Sequence, residues 1–148
     1  MALAFLSASA AKRRPQGGFT FIELLAVLLI LGLLAAIATP QVMKYLGRAR
    51  TDSAKLQVQG LGGAIDLYYL DNGRYPTSQE GLQALVDRPP AQDKWNGPYV
   101  KKRDMLVDPW GRPYRYRFPG QHGDYDLYSL GADDAEGGEG DNRDVTSW

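Results

Sequence analysis

Residues 18–40 read GFTFIELLAVLLILGLLAAIATP, from Gly18 to Pro40. The stretch is apolar almost throughout and carries a single charge, Glu23, near its start. As a helix at about 1.5 Å per residue, 19–39 spans roughly 30 Å, the thickness of a hydrocarbon core. Lys12-Arg13-Arg14 lies just before it and the bulk of the chain after it. Basic residues before an apolar segment stay cytoplasmic, so the C-terminal part is expected on the far side of the membrane. Residues 1–18, MALAFLSASAAKRRPQGG, read as a leader rather than folded structure. An ordinary secretory signal would have a small-residue cleavage site after the apolar run, and none follows Ala38.

The remaining 41–148 is enough for one small domain with a modest core. There are no cysteines, which excludes a disulfide framework and a thiolate metal site. The formal charge is 0, but it is unevenly placed. Between Asp124 and Asp144 there are eight acids against one base, Arg143. A basic start and an acidic end argue against a nucleic-acid partner. The acidic, Gly-rich end suits either a cation site or a disordered tail.

Beyond Pro40, which is expected to bend or locally unwind the helix, the periodicity resumes. Ala54, Val58, Leu61, Ile65 and Tyr68 fall at spacings of 4, 3, 4 and 3, one helical face. A helix over 41–71 is expected, with Asn72-Gly73 ending it. Gly60, Gly62 and Gly63 weaken it, through close approach of another backbone or simply as poor helix formers. Thr77–Val86 reads as a short helix capped by Ser78 or Thr77, with Glu80 in its first turn. Three strands are expected near 99–101, 113–118 and 125–130. Tyr114, Tyr116 and Phe118 alternate with Arg115 and Arg117 in the middle one. The fold class is α+β: a long N-terminal helix packed on a small three-stranded antiparallel sheet. Tyr68, Tyr69, Tyr114, Tyr116 and Phe118 are the expected core between them. Lys101, Lys102 and Arg103 read as a solvated loop, or as a contact for acidic neighbours in a filament. His122, the one histidine, sits in a Gly-rich turn and is expected to be exposed and without a role. With no Ser/His/Asp set and no phosphate-binding glycine loop before a helix, no enzyme is expected.

Gly18-Phe19-Thr20-Phe21-Ile22-Glu23-Leu24-Leu25 resembles the prepilin signal of type IV pilin-like proteins. The later segments Asp71-Asn72-Gly73-Arg74-Tyr75-Pro76, Asp108-Pro109-Trp110-Gly111 and Ser129-Leu130-Gly131-Ala132-Asp133, with the C-terminal Trp148, are similar to the major pseudopilin family of type II secretion. The resemblance covers about residues 15–148. It departs in a longer start, Met1 to Lys12, and in Asp141-Asn142, where the family often has two adjacent acids.

The resemblance implies three segments: a prepilin leader at 1–18, a transmembrane and filament-core helix at 19–40, and a periplasmic domain at 41–148. It implies cleavage between Gly18 and Phe19 by a prepilin peptidase, then N-methylation of Phe19. It gives Glu23 the role of pairing with the free amine of a neighbouring subunit, because a carboxylate in the bilayer costs about 2.5–3.5 kcal/mol on insertion scales. The residue-level alternative leaves Glu23 in the headgroup layer. A C-terminal calcium loop is implied, with Asp133, Asp141 and Asn142 supplying side-chain oxygens and Leu130 a main-chain carbonyl. The loop lacks EF-hand spacing, and on spacing alone a solvated tail is the stronger reading. The implied function is a structural subunit of the pseudopilus. Its partners would be further copies of itself (a homopolymer), minor pseudopilins, an inner-membrane platform with its ATPase, and secreted exoproteins. The alternatives are a type IV pilin for adhesion or DNA uptake, and a monomeric, membrane-anchored calcium-binding domain.

Overall fold

A computed structural model of the protein describes residues 18–90 and 92–148. The leader expected at 1–18 therefore lies, apart from Gly18, outside the described residues. The chain divides into two units between Ala38 and Thr39. Helix α1, Phe21–Asn72, contributes backbone to both. It begins where sequence chemistry places a helix start. The Thr20 hydroxyl accepts the Glu23 N–H at 3.3 Å, half of a capping box. It stays helical through Pro40, so the expected local unwinding is absent. Proline removes only one amide donor, and the helix accommodates that loss. At the other end Asn72 Nδ2 donates to the Tyr68 carbonyl at 2.9 Å. Gly73 follows at φ +70°, the left-handed conformation that closes helices.

Beyond Thr39, α1 buries the face expected from its spacing: Ala54, Val58, Leu61, Ile65 and Tyr68. Leu82 and Leu85 of a 3-10 turn, Gly81–Leu85, join this core. So do Leu106, Tyr114, Leu127 and Val145. Fully burying one such aliphatic or aromatic side chain is worth about 1.5–3 kcal/mol.

The sheet is antiparallel, in the order β1 (Arg115–Arg117), β2 (Asp126–Ser129) and β3 (Val145–Thr146). Tyr116 lies opposite Leu127, and Ser129 opposite Val145. Three expectations about the domain are corrected. Residues 99–101 are not a strand; the amides of Tyr99 and Val100 both donate to the Leu85 carbonyl, which folds that segment onto the 3-10 turn. The third strand comes from the C-terminal end instead, where Val145 supplies the apolar contact. The segment 77–86 is a turn followed by a 3-10 helix rather than an α-helix. Tyr69 is exposed, although it stacks on Tyr75 with centroids 4.6 Å apart.

Candidate functional site

Two regions carry the residues singled out in the sequence. Among the described residues α1 is the one helix long and apolar enough to cross a membrane. Its apolar side chains from Phe21 to Ile37 are exposed throughout. In water such a surface has no place, so this segment needs lipid or other apolar helices around it. Gly18 and Phe19 precede the helix, outside regular secondary structure, and are exposed. Glu23 is exposed, in the first turn of the helix.

The second region is the loop after β2, residues 130–144. Its base is fixed by a buried carboxylate, Asp108. One oxygen accepts the amides of Trp110 (3.0 Å) and Arg112 (2.8 Å). The other accepts the Ser129 hydroxyl at 2.5 Å. The two limbs of the loop are joined where the Ala132 amide donates to the Asp141 carbonyl at 2.9 Å. The Arg112 guanidinium also donates to the Gly131 carbonyl. At Gly131, φ is +66° and an added Cβ would lie 2.7 Å from the Asn142 carbonyl carbon. Glycine is required there on both counts.

The four residues expected to hold a cation are brought onto one loop but not pointed to one spot. Asp133 is exposed, and its Oδ1 accepts the Ala135 amide at 3.2 Å. Asp141 turns toward α1: its Oδ1 accepts from Trp110 Nε1 at 2.8 Å, and Arg50 lies at 3.9 Å. It packs where Gly47 leaves room, since an added Cβ there would meet Asp141 Cβ at 3.0 Å. Thr51 Oγ1, on the same helix face, contacts the Gly140 carbonyl at 3.3 Å. Asn142 is exposed, with its backbone pressed against Gly131 and Gly138. Among the described residues no three acidic or histidine side chains already form a metal cluster.

Asp144 is not among the four expected ligands, yet it holds the most telling atom of the loop. Its Oδ2 accepts the Gly137 amide at 2.9 Å, while its Oδ1 is buried without a hydrogen-bond partner. A buried carboxylate oxygen left unsatisfied is costly, and a cation is a ready way to satisfy it. Asp134 is otherwise engaged, with Arg115 Nη2 at 2.9 Å and Arg112 Nε at 3.6 Å.

His122 is exposed, as expected. Its ring stacks on Trp148 with centroids 4.0 Å apart and 4° between planes. Its Nδ1 lies 3.4 Å from Asp126. Burial alone would raise the Asp126 carboxyl, but the amides of Gln121 and His122 outweigh it and hold the group below its usual range.

Comparison with known proteins decides what this arrangement belongs to. The family model for type II secretion system protein G matches residues 41–148, and the prokaryotic N-terminal methylation motif matches 13–39. The chain belongs to the type II secretion protein G family. It is 48% identical to the type II secretion system core protein G of Pseudomonas aeruginosa, over 93% of this chain and 98% of that one. With the core protein G of Vibrio cholerae the identity is 41%, over 93% and 94%. The crystal structure of the major pseudopilin from enterohaemorrhagic Escherichia coli superposes with a TM-score of 0.59 at 33% identity. That match covers 72% of this chain and 88% of the other. The long helix on a three-stranded antiparallel sheet is therefore the fold of this protein G family.

Proposed function

We propose that this chain is the major structural subunit of a type II secretion pseudopilus. One observation carries the reading: a methylation-motif segment and a protein G domain adjoin in one chain, at 13–39 and 41–148. Its role is to form a filament rather than to catalyse a reaction. The exposed apolar helix 21–38 serves first as a single-pass inner-membrane anchor. After extraction it packs against its counterparts, so lipid contact is exchanged for protein contact. The net drive of that exchange is small, which is why an energised assembly platform and its ATPase belong among the partners. Minor pseudopilins and secreted exoproteins complete the set. The domain 41–148 lies in the periplasm, and the leader ends at Gly18, with Phe19 as the methylated new N-terminus. Glu23 pairs with the amine of Phe19 in a neighbouring subunit.

The loop 130–144 is a calcium site. Calcium takes six to eight oxygens from carboxylates, amides and carbonyls, and this loop is rich in all three. Leu130, Asp133, Asp141 and Asn142 remain the proposed ligands. The unsatisfied Asp144 Oδ1 supports adding Asp144, while Asp141 Oδ1 already accepts from Trp110 Nε1 and has the Oδ2 oxygen left for an ion. A bound ion would tie β2 to β3 without a disulfide.

The test is to express the full chain with its assembly machinery in a strain lacking its own major pseudopilin. Secretion of the exoprotein, sheared fibres and a mature N-terminus at methylated Phe19 are expected. A chain that restores no secretion and remains uncleaved from Met1 would overturn the reading.

A further inference from the structure

Just past its apolar run, α1 carries a basic surface. Residues 40–51 hold Lys44, Arg48 and Arg50 and no acid. Gln41, Lys44, Tyr45 and Arg48 fall at i, i+3, i+4 and i+7, one helical face. Together they line a hollow of about 420 Å³. The bases nearby are engaged: Arg50 lies 3.9 Å from Asp141, and Lys55 lies 3.6 Å from Asp52. Lys44 and Arg48 are exposed, and among the described residues neither has a carboxylate within ion-pair distance. Two unpaired cations beside a carboxamide and a phenol make a donor set suited to a phosphate.

Membrane orientation does not account for these charges. Basic residues next to a span favour the cytoplasmic side, so Lys44 and Arg48 oppose the orientation that Lys12-Arg13-Arg14 sets from the other end. The fold does not account for them either, since both are exposed.

Position selects the partner. Lys44 is five residues and Arg48 nine residues past Thr39, where the apolar run ends. At about 1.5 Å per helical residue they lie within roughly 8 and 14 Å of that point, whatever direction the helix takes. The headgroup layer extends about 5–8 Å beyond the hydrocarbon, and long basic side chains reach back into it. Tyr45, 77% exposed, is of the type that collects at the same level.

We propose that Lys44 and Arg48, with Gln41 and Tyr45, bind the phosphate of an anionic phospholipid headgroup in the periplasmic leaflet of the inner membrane. This rests on the anchor reading above. The contact exists only while the subunit is anchored, so leaving the bilayer breaks it.

The test uses the full chain in detergent, with native mass spectrometry counting bound phosphatidylglycerol against zwitterionic phosphatidylethanolamine. The wild-type chain should retain phosphatidylglycerol preferentially. A basic residue beside an anionic headgroup layer is worth about fivefold in affinity, so Lys44→Gln/Arg48→Gln should lower the preference by about 25-fold. Lys44→Arg/Arg48→Lys should keep it, and so should Lys94→Gln/Lys101→Gln, elsewhere on the domain. Lys12-Arg13-Arg14 is common to all variants and cancels in the comparison. An unchanged preference in Lys44→Gln/Arg48→Gln overturns the proposal, as does an equal loss in the Lys94/Lys101 pair. Displacement of the lipid by equimolar glycerol 3-phosphate would overturn the leaflet as the source of the phosphate. Loss of sheared fibres from Lys44→Gln/Arg48→Gln with its lipid preference intact would assign the surface to an acidic protein partner instead. A wild-type chain released from membranes by alkaline extraction would overturn the anchor reading and this proposal with it; one that stays in the membrane and shows no lipid preference would overturn the headgroup site alone.

Discussion

Replacing Glu80 by glutamine removes a charge that fastens the segment after α1. Arg74 Nη1 and Nη2 each donate to a Glu80 oxygen at 2.7 Å. The Thr77 amide donates to Oε2 at 2.8 Å, and the Glu80 amide returns a bond to the Thr77 hydroxyl at 3.2 Å. This is a reciprocal capping box with a bidentate guanidinium added. The Arg74 hydrogen bonds, more than the Thr77 contacts, lower the Glu80 carboxyl from 4.5 to about 2. At 1.36 kcal/mol per pKa unit, such a depression corresponds to roughly 3 kcal/mol. Arg74 remains 36% exposed, and solvent screening reduces the figure to about 2 kcal/mol.

The sign follows from linkage. A carboxyl depressed in the folded state stabilises the fold above its unfolded pKa, and that contribution is lost as pH falls through the folded value. The loss therefore falls between about pH 4.5 and pH 2. Denaturant unfolding followed by tryptophan fluorescence reports on the right place, because Trp95 Nε1 donates to the Ala84 carbonyl at 2.9 Å in the turn beginning just after Glu80. Glu80→Gln should cost about 2 kcal/mol at neutral pH. The wild-type and variant curves should converge as pH drops toward 2. Parallel pH profiles, with the same difference at pH 7 and at pH 2.5, would refute the charge argument and leave only a packing effect.

Adding calcium should raise the melting temperature of the wild-type chain, and Asp133→Ala or Asp144→Asn should remove most of that rise; calorimetry with and without chelator checks it. Leu127→Ala, at a fully buried position, should cost about 2–5 kcal/mol in urea unfolding. Tyr114→Phe removes the hydroxyl that donates to Gln57 at 2.7 Å, and should cost about 1 kcal/mol by the same measurement. Gly131→Ala should speed amide exchange across 131–144 while sparing α1, because the added methyl collides with the Asn142 backbone.

The long helix was legible because periodicity and termini agree along it. The apolar run 19–39 marks the first part, Ala54 to Tyr68 mark one face of the second, and Asn72-Gly73 marks the end. Strands β1 and β2 were legible from the alternation of Tyr114, Tyr116 and Phe118 and from the run at 125–130. The third strand was not, because two residues, Val145 and Thr146, carry no alternation, and the pairing that defines them comes from β2, a distant part of the chain. Residues 99–101 look like a strand locally, and only the Leu85 carbonyl that captures their amides decides otherwise. In the loop, Asp141 and Asp144 are equivalent by composition. What separates them is tertiary: Trp110 and Gly47 draw Asp141 to the helix, while the Gly137 amide turns Asp144 inward. His122 is exposed as expected; its stacking on Trp148, 26 residues further along, is a tertiary contact that no local pattern announces.

The two faces of α1 beyond Pro40 bear on Gly60 and Gly63, where an added Cβ meets nothing within the subunit. A helix in water that had only to cover a sheet would place its apolar residues on one stripe and charges on the opposite one. Here Leu56, Leu67 and Leu70 stand opposite the core stripe, and the charges are pushed to the flanks at Lys44, Arg48, Lys55 and Asp66. Such a helix forgoes solubility for the free subunit, an arrangement suited to a chain whose working state is the polymer. Gly60 and Gly63 add to the same imbalance: they lower the stability of the isolated helix, and within the subunit nothing is gained in return.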